Sequence, residues 1–96
     1  LVTSVCTGSL LLAKAGILEN KKATTHWGAL SLLKKISSST KIMTTERVVK
    51  DGVITSAGVS SGIDMAFTVV SMLCGEAVSS DTAKYIEYKR SDEIIV

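Results

Sequence analysis

The chain has too few cysteines for a disulfide framework. There are two, Cys6 and Cys74, so a reducing, cytoplasmic setting is the expectation. Charge of one sign is equally scarce: 11 Lys and Arg against 9 Asp and Glu leave a formal net charge of +2. The basic pairs Lys21-Lys22 and Lys34-Lys35 stand alone and read as solvated surface, so this segment is not expected to bind nucleic acid directly. No apolar run is long enough for a bilayer. The one around Ala66 to Leu73 is far too short, and no membrane partner is expected. Leu10 to Ala13 imitates a signal-peptide core, but no basic region precedes it and Lys14 closes it early. There is no internal repeat, and the polar run Ser37 to Thr40 is a loop rather than a low-complexity segment. Nor does any His, Cys and carboxylate cluster have metal-ligand spacing, so neither a metal nor another cofactor is expected.

What remains is 96 residues with 46% hydrophobic content, enough for one domain with a real core. Leu1 to Leu18 organises it. Leu1, Val2, Thr3 and Val5 suit a strand buried in a parallel sheet. Ser9 to Ala15 is rich in Leu and Ala and reads as a helix, with Gly16 at its C-cap and Ile17-Leu18 as the hydrophobic latch. Ser4-Val5-Cys6-Thr7-Gly8 lies between them. A small residue two positions before the cysteine and a glycine two after is the spacing of a nucleophile elbow, with sulfur in place of a serine hydroxyl. Such a turn leaves little room for flanking side chains and lifts the central residue out at the strand end. The sulfur then faces the N-terminus of the following helix, which favours a thiolate, and the Thr7 amide is positioned as an oxyanion donor. The alternative is a buried small hydrophobe, a common fate of free cysteine. Spacing alone leaves both open.

Beyond the polar turn Glu19 to Lys22, Ala23-Thr24-Thr25 reads as extended. Thr25 caps a helix from about His26 to Lys35, with Trp27, Leu30, Leu33 and Ile36 on one face. Arg47 to Lys50 and Val53 to Ser56, joined by Asp51-Gly52, form a hairpin pattern whose turn is expected to project at the sheet's edge. Ser61 and Asp64 have capping-box spacing at the start of a helix to about Cys74 that is apolar nearly all round, and hence buried. Gly75 ends it with Cys74 as an inert buried thiol. A last helix runs from about Glu76 to Ile86, with Val78, Ala83, Tyr85 and Ile86 as its apolar members, followed by a charged tail from Lys89 to Val96. A chain without an initiator Met, whose first residue already reads as buried strand, is expected to be the C-terminal part of a larger domain or one piece of a split one.

Four stretches, in order, resemble the ThiJ/PfpI family: Cys6-Thr7-Gly8-Ser9-Leu10-Leu11-Leu12-Ala13-Lys14-Ala15-Gly16, Ala23-Thr24-Thr25-His26-Trp27, Arg47 to Gly52, and Ser56 to Asp64. The Cys-Thr-Gly-Ser elbow with Thr-Thr-His-Trp looks most like the isonitrile hydratase branch. The same domain also precedes the DNA-binding module of some AraC-type regulators. The resemblance covers about Leu1 to Tyr88. It implies an α/β, flavodoxin-like sandwich, with residues 1–96 as the C-terminal portion of one domain, starting at the elbow strand. It also implies a homodimer, a small-molecule substrate, and an absent N-terminal half carrying the acidic partner of the cysteine.

By the same resemblance Cys6 is the nucleophile, Thr7 supplies the neighbouring hydroxyl and oxyanion-side amide, and His26 matches a histidine near the cysteine. For His26 a second reading, a helix-start residue bonded to backbone, has equal standing. Thr7 replaces the histidine that directly follows the cysteine in protease-like members, which argues against a Cys-His peptidase dyad. Trp27 is expected in the core or a pocket wall. Asp64 is assigned to its cap. The implied activity is cysteine-dependent hydration of an isonitrile to an N-substituted formamide. Ligand or redox sensing without catalysis is the alternative.

Overall fold

The computed structural model describes residues 1–90 and the backbone of residues 94–95. Strand β1 (Thr3–Val5) leads through the elbow into α1 (Gly8–Lys14). Then come β2 (Lys22–Ala23), a 3-10 turn (Trp27–Ala29), α2 (Leu30–Ile36) and β3 (Lys41–Ile42). β4 (Val48–Asp51), β5 (Val53–Ser56), α3 (Val59–Cys74), α4 (Glu76–Tyr85) and β6 (Ile94–Ile95) follow. The main sheet has the order β1-β5-β4-β6, while β2 and β3 form a separate parallel pair. β1 runs parallel to β5, with Ser4 opposite Thr55, and β4 runs antiparallel to β5.

Two layers of helices are held by alternate residues of β5, because successive side chains in a strand face opposite sides. Val53 packs with Ala13 of α1, Leu33 of α2, Leu18 and Ala23. Its neighbour Ile54 packs with Val48 and with Met65 of α3 on the other face. The end of α1 is fixed as its sequence requires. Gly16 takes φ +81, the Gly16 amide donates to Ala13 O, and the Ile17 amide donates to Leu12 O. That is the paired 5→2 and 6→1 pattern of a glycine-terminated helix.

Several sequence expectations are corrected. The hairpin was expected at the sheet's edge, yet β5 lies between β1 and β4 and its four residues are all buried. Its turn is tied inward, since the Lys22 amide donates to Asp51 Oδ2 at 2.8 Å. β1 has one partner strand among the described residues, and only Ser4 of its three residues is buried. Leu1, Val2 and Val5 are exposed rather than enclosed. Thr25 does not cap a helix. His26 does so instead, for the 3-10 turn, and α2 starts only at Leu30. Trp27 is 81% exposed, neither core nor wall among the described residues.

The capping box is also wrong. α3 begins at Val59, two residues before Ser61, with no side-chain cap. This places Asp64 inside the helix, 1% exposed, where Arg47 Nη2 reaches its Oδ2 at 2.9 Å. A buried carboxylate needs such a partner, because desolvation of an unpaired charge costs several kcal/mol. α3 is buried on one face only, with Val59, Ile63, Met72 and Leu73 exposed. Cys74 is exposed at its end, and in α4 Ala83 is buried whereas Val78, Tyr85 and Ile86 are exposed. α3 makes one close approach that its sequence does explain. A Cβ on Gly62 would stand 3.0 Å from Val5 Cγ1, so glycine lets the helix settle on β1.

The tail expected from Lys89 onward starts as a strap across α3. The Tyr88 ring stacks on Phe67 at 5.6 Å, and the Arg90 guanidinium sits 5.5 Å from the same ring. Partial burial, then the Asp64 carboxylate to which it is hydrogen-bonded, hold the Tyr88 hydroxyl above the ordinary phenol value, with Arg47 opposing. Arg90 Nη1 meets Glu76 Oε1 at 2.7 Å. Residues 91–93 and 96 of the tail lie outside the described residues, and residues 94–95 form β6, parallel to β4. Hydrogen bonds from Ser71 and from Arg90 hold Glu76 below its ordinary value, against a smaller desolvation effect. A depressed carboxylate stabilises fully above its unfolded value, about 4.3, and loses that contribution as the pH falls through the folded one. Hydrogen exchange at the Tyr88 amide, which donates to Ala83 O, should therefore accelerate below about pH 4 beyond its intrinsic rate. In Glu76→Gln that acid step should vanish.

Candidate active site

The site is built on the backbone of Cys6. Its φ is +57, left-handed, which costs a non-glycine residue about 1–2 kcal/mol. The cysteine has no conformational reason of its own to be there, so its surroundings must hold it. On one side the Cys6 amide donates to Ser56 O at 3.1 Å, continuing the β1–β5 ladder past the last strand residue. The next residue, Thr7, is already helical (φ −74, ψ −2) and is the N-cap of α1. The chain thus turns from strand to helix within a single residue. The Leu10 amide bonds to Thr7 O, so the helical ladder begins there and leaves the Cys6 carbonyl outside it.

That carbonyl is satisfied by hydroxyls. Thr25 Oγ1 donates to it at 2.9 Å, and Ser9 Oγ lies at 3.4 Å. Both residues are buried, and their neighbours fix them further. The Thr24 amide donates to Thr55 Oγ1 at 2.9 Å, and Ser56 Oγ donates to Ser4 O at 3.1 Å. A hydrogen bond contributes on the order of 1 kcal/mol net, so the Ser56 and Thr25 bonds together match the cost of the left-handed residue. Room at Gly8 is less restrictive than its spacing suggests. A Cβ there would stand 3.5 Å from Ser4 Cβ, ordinary contact, so an alanine fits.

The side chain of Cys6 is partly exposed, at the strand end and directly before the first turn of α1. The Gly8 and Ser9 amides of that turn have no preceding carbonyl of the helix to bond. Cys6 and Thr7 are neighbours at one turn. His26 is reached through Thr25, whose hydroxyl touches the Cys6 carbonyl. Its own Nδ1 accepts from the Gly28 amide at 3.0 Å, which is the backbone-bonded arrangement weighed for it. The ring of exposed Trp27 stands 5.4 Å from that of His26. Sequence reasoning missed Thr25, having spent its hydroxyl on a helix cap. The signal was there in the buried Thr24-Thr25 pair at the end of an extended segment. Among the described residues no carboxylate is hydrogen-bonded to Cys6, Thr7 or His26, and no three His, Cys, Asp or Glu residues gather as a metal site. No helix of those residues is long and apolar enough to cross a membrane.

A strand, a left-handed cysteine and a helix in immediate succession define a class of cysteine-bearing α/β domains, and the comparisons agree. The model of the DJ-1/PfpI family matches residues 1–72, and the chain belongs to that family, with a flavodoxin-like α/β fold. It is 46% identical over 87 residues to the isonitrile hydratase of Pseudomonas putida, covering 90% of this chain and 35% of that protein. It is 28% identical over 91 residues to the HTH-type transcriptional regulator GbdR of Pseudomonas aeruginosa, covering 91% of this chain and 24% of the regulator. The crystal structure of a ThiJ/PfpI family protein from Pseudomonas syringae superposes with a TM-score of 0.78 at 37% identity, covering 93% and 36% of the two chains. The chain thus spans about a third of the length of the isonitrile hydratase it matches.

The two cysteines provide an internal comparison. Cys74 is exposed and Cys6 only partly so, so access alone would make Cys74 the faster to alkylate. An activated elbow reverses the order. Iodoacetamide labelling followed by peptide mapping should show Cys6 modified first at neutral pH.

Proposed function

We propose that this chain carries the nucleophile of an isonitrile hydratase-like site, with Cys6 as the attacking thiolate. The left-handed Cys6 at the head of α1 is the observation that carries the reading, and the likeness to the Pseudomonas putida enzyme chooses the reaction. The thiolate forms a C–S bond to the isonitrile carbon, and that carbon takes up a proton, giving a thioimidate. Water adds to the same carbon, and its protons are shared between the nitrogen and the base. The C–S bond then breaks, releasing an N-substituted formamide and the thiolate. The Thr7, Gly8 and Ser9 amides suit the anionic stages, with the Thr7 hydroxyl and His26 in support.

The proton on carbon and the activation of water call for a carboxylate. Asp64 is engaged by Arg47, Asp51 by the Lys22 amide and Glu76 by Arg90. We assign that acid to an N-terminal half of the domain, which would also cover the second edge of β1. The likeness to GbdR supports a second reading, a ligand-binding domain without turnover.

Hydration of a simple isonitrile by this chain, alone and with such an N-terminal half supplied in trans, separates these readings. Loss of general acid–base help costs about 10²- to 10⁴-fold, so turnover is expected only after complementation and should disappear in Cys6→Ser. Turnover by the chain alone would contradict the assignment of the acid. No turnover in either case, with binding retained, would favour the ligand-binding domain.

A further inference from the structure

The Thr24-Thr25 segment is left unexplained by helix capping and has no part in the chemistry above. Thr25 is 1% exposed, and its hydroxyl points at one acceptor, the Cys6 carbonyl, 2.9 Å away and 19 residues earlier in the chain. The carbonyl it meets belongs to the strained residue itself. Among the described residues only Ser9, at a longer 3.4 Å, offers a second hydroxyl. The position of Thr25 is in turn set by the neighbouring amide, since Thr24 N donates to Thr55 Oγ1 on the central strand. The segment is thus fastened to the sheet at one residue and to the elbow at the next.

We infer that Thr25 is a positioning residue for the nucleophile: its hydroxyl, anchored through Thr24 to β5, holds the Cys6 peptide in its left-handed conformation between β1 and α1, and so fixes the base of the side chain that carries the sulfur. The inference rests on the reading of Cys6 as an activated thiol. Thr25 meets the backbone carbonyl of Cys6 and acts through that backbone. Without its hydrogen bond, Cys6 has the Ser56 contact on its amide side but loses its shorter carbonyl-side bond. The residue then relaxes toward an ordinary φ, which re-aims its side chain.

Two substitutions separate positioning from packing. Thr25→Val keeps the shape and removes the hydroxyl, whereas Thr25→Ser keeps the hydroxyl and removes a methyl. The readout is the ratio of Cys6 to Cys74 alkylation rates by iodoacetamide, well below the melting temperature of each variant, with Cys74 as the internal standard. Thr25→Val should lower the ratio about three- to ten-fold, the worth of one hydrogen bond, and Thr25→Ser should keep it near the parent value. An unchanged ratio in Thr25→Val, or a fall in Thr25→Ser, would show that Thr25 only fills space and would overturn the inference. The serine variant decides this even if the valine variant fails to fold. A parent protein in which Cys6 is no faster than Cys74 would instead refute the activated-thiol reading.

Discussion

The left-handed peptide at Cys6 is the constraint on which this structure turns. One residue must end β1, reverse the chain and begin α1, and an L-residue does this only under compulsion. The compulsion comes from the neighbouring strand β5, from the segment after β2 and from α1: Ser56 O receives the Cys6 amide, and Thr25 and Ser9 hydroxyls meet its carbonyl. Each contact belongs to a different part of the chain, so the elbow exists only when β5, the segment after β2 and α1 are all in place.

The other face obeys a different logic. There the anchor is ionic, with Asp64 drawn into the core and held by Arg47 from the start of β4. Tyr88 closes over it and lies on Phe67, and Arg90 crosses the same ring to reach Glu76. A half-exposed arginine on a buried carboxylate joins helix, sheet and C-terminal strap through groups unrelated to the elbow. The molecule therefore has an elbow held by hydroxyls and backbone, and a second cluster held by charge.

The elbow, the glycine-capped α1, the hairpin and the two last helices were legible in sequence because each has a local cause: spacing around Cys6, Gly16 after a Leu-rich run, Asp51-Gly52 between β-branched pairs. The failures have one cause as well. Thr25 and Asp64 both sit where a local rule offers them a cap, and in both cases a long-range partner, Cys6 O or Arg47, takes the side chain instead. Trp27 failed differently. Periodicity put it on the buried face with Leu33, but the chain starts as a 3-10 turn there, and the change of pitch rotates the indole into solvent. The open side of β1 was illegible for a simpler reason: an apolar strand reads as enclosed whether or not its second neighbour is among the described residues.

The strain at the elbow is testable without any substrate. Glycine accepts a left-handed φ at no steric cost, whereas alanine bears the full penalty. If Cys6 has φ +57, Cys6→Gly should be more stable than Cys6→Ala by about 1 kcal/mol in urea denaturation, although glycine destabilises almost every other position. A Cys6→Ala variant as stable as Cys6→Gly, or more so, would mean that residue 6 has an ordinary strand or helix conformation, and the nucleophile elbow would not exist.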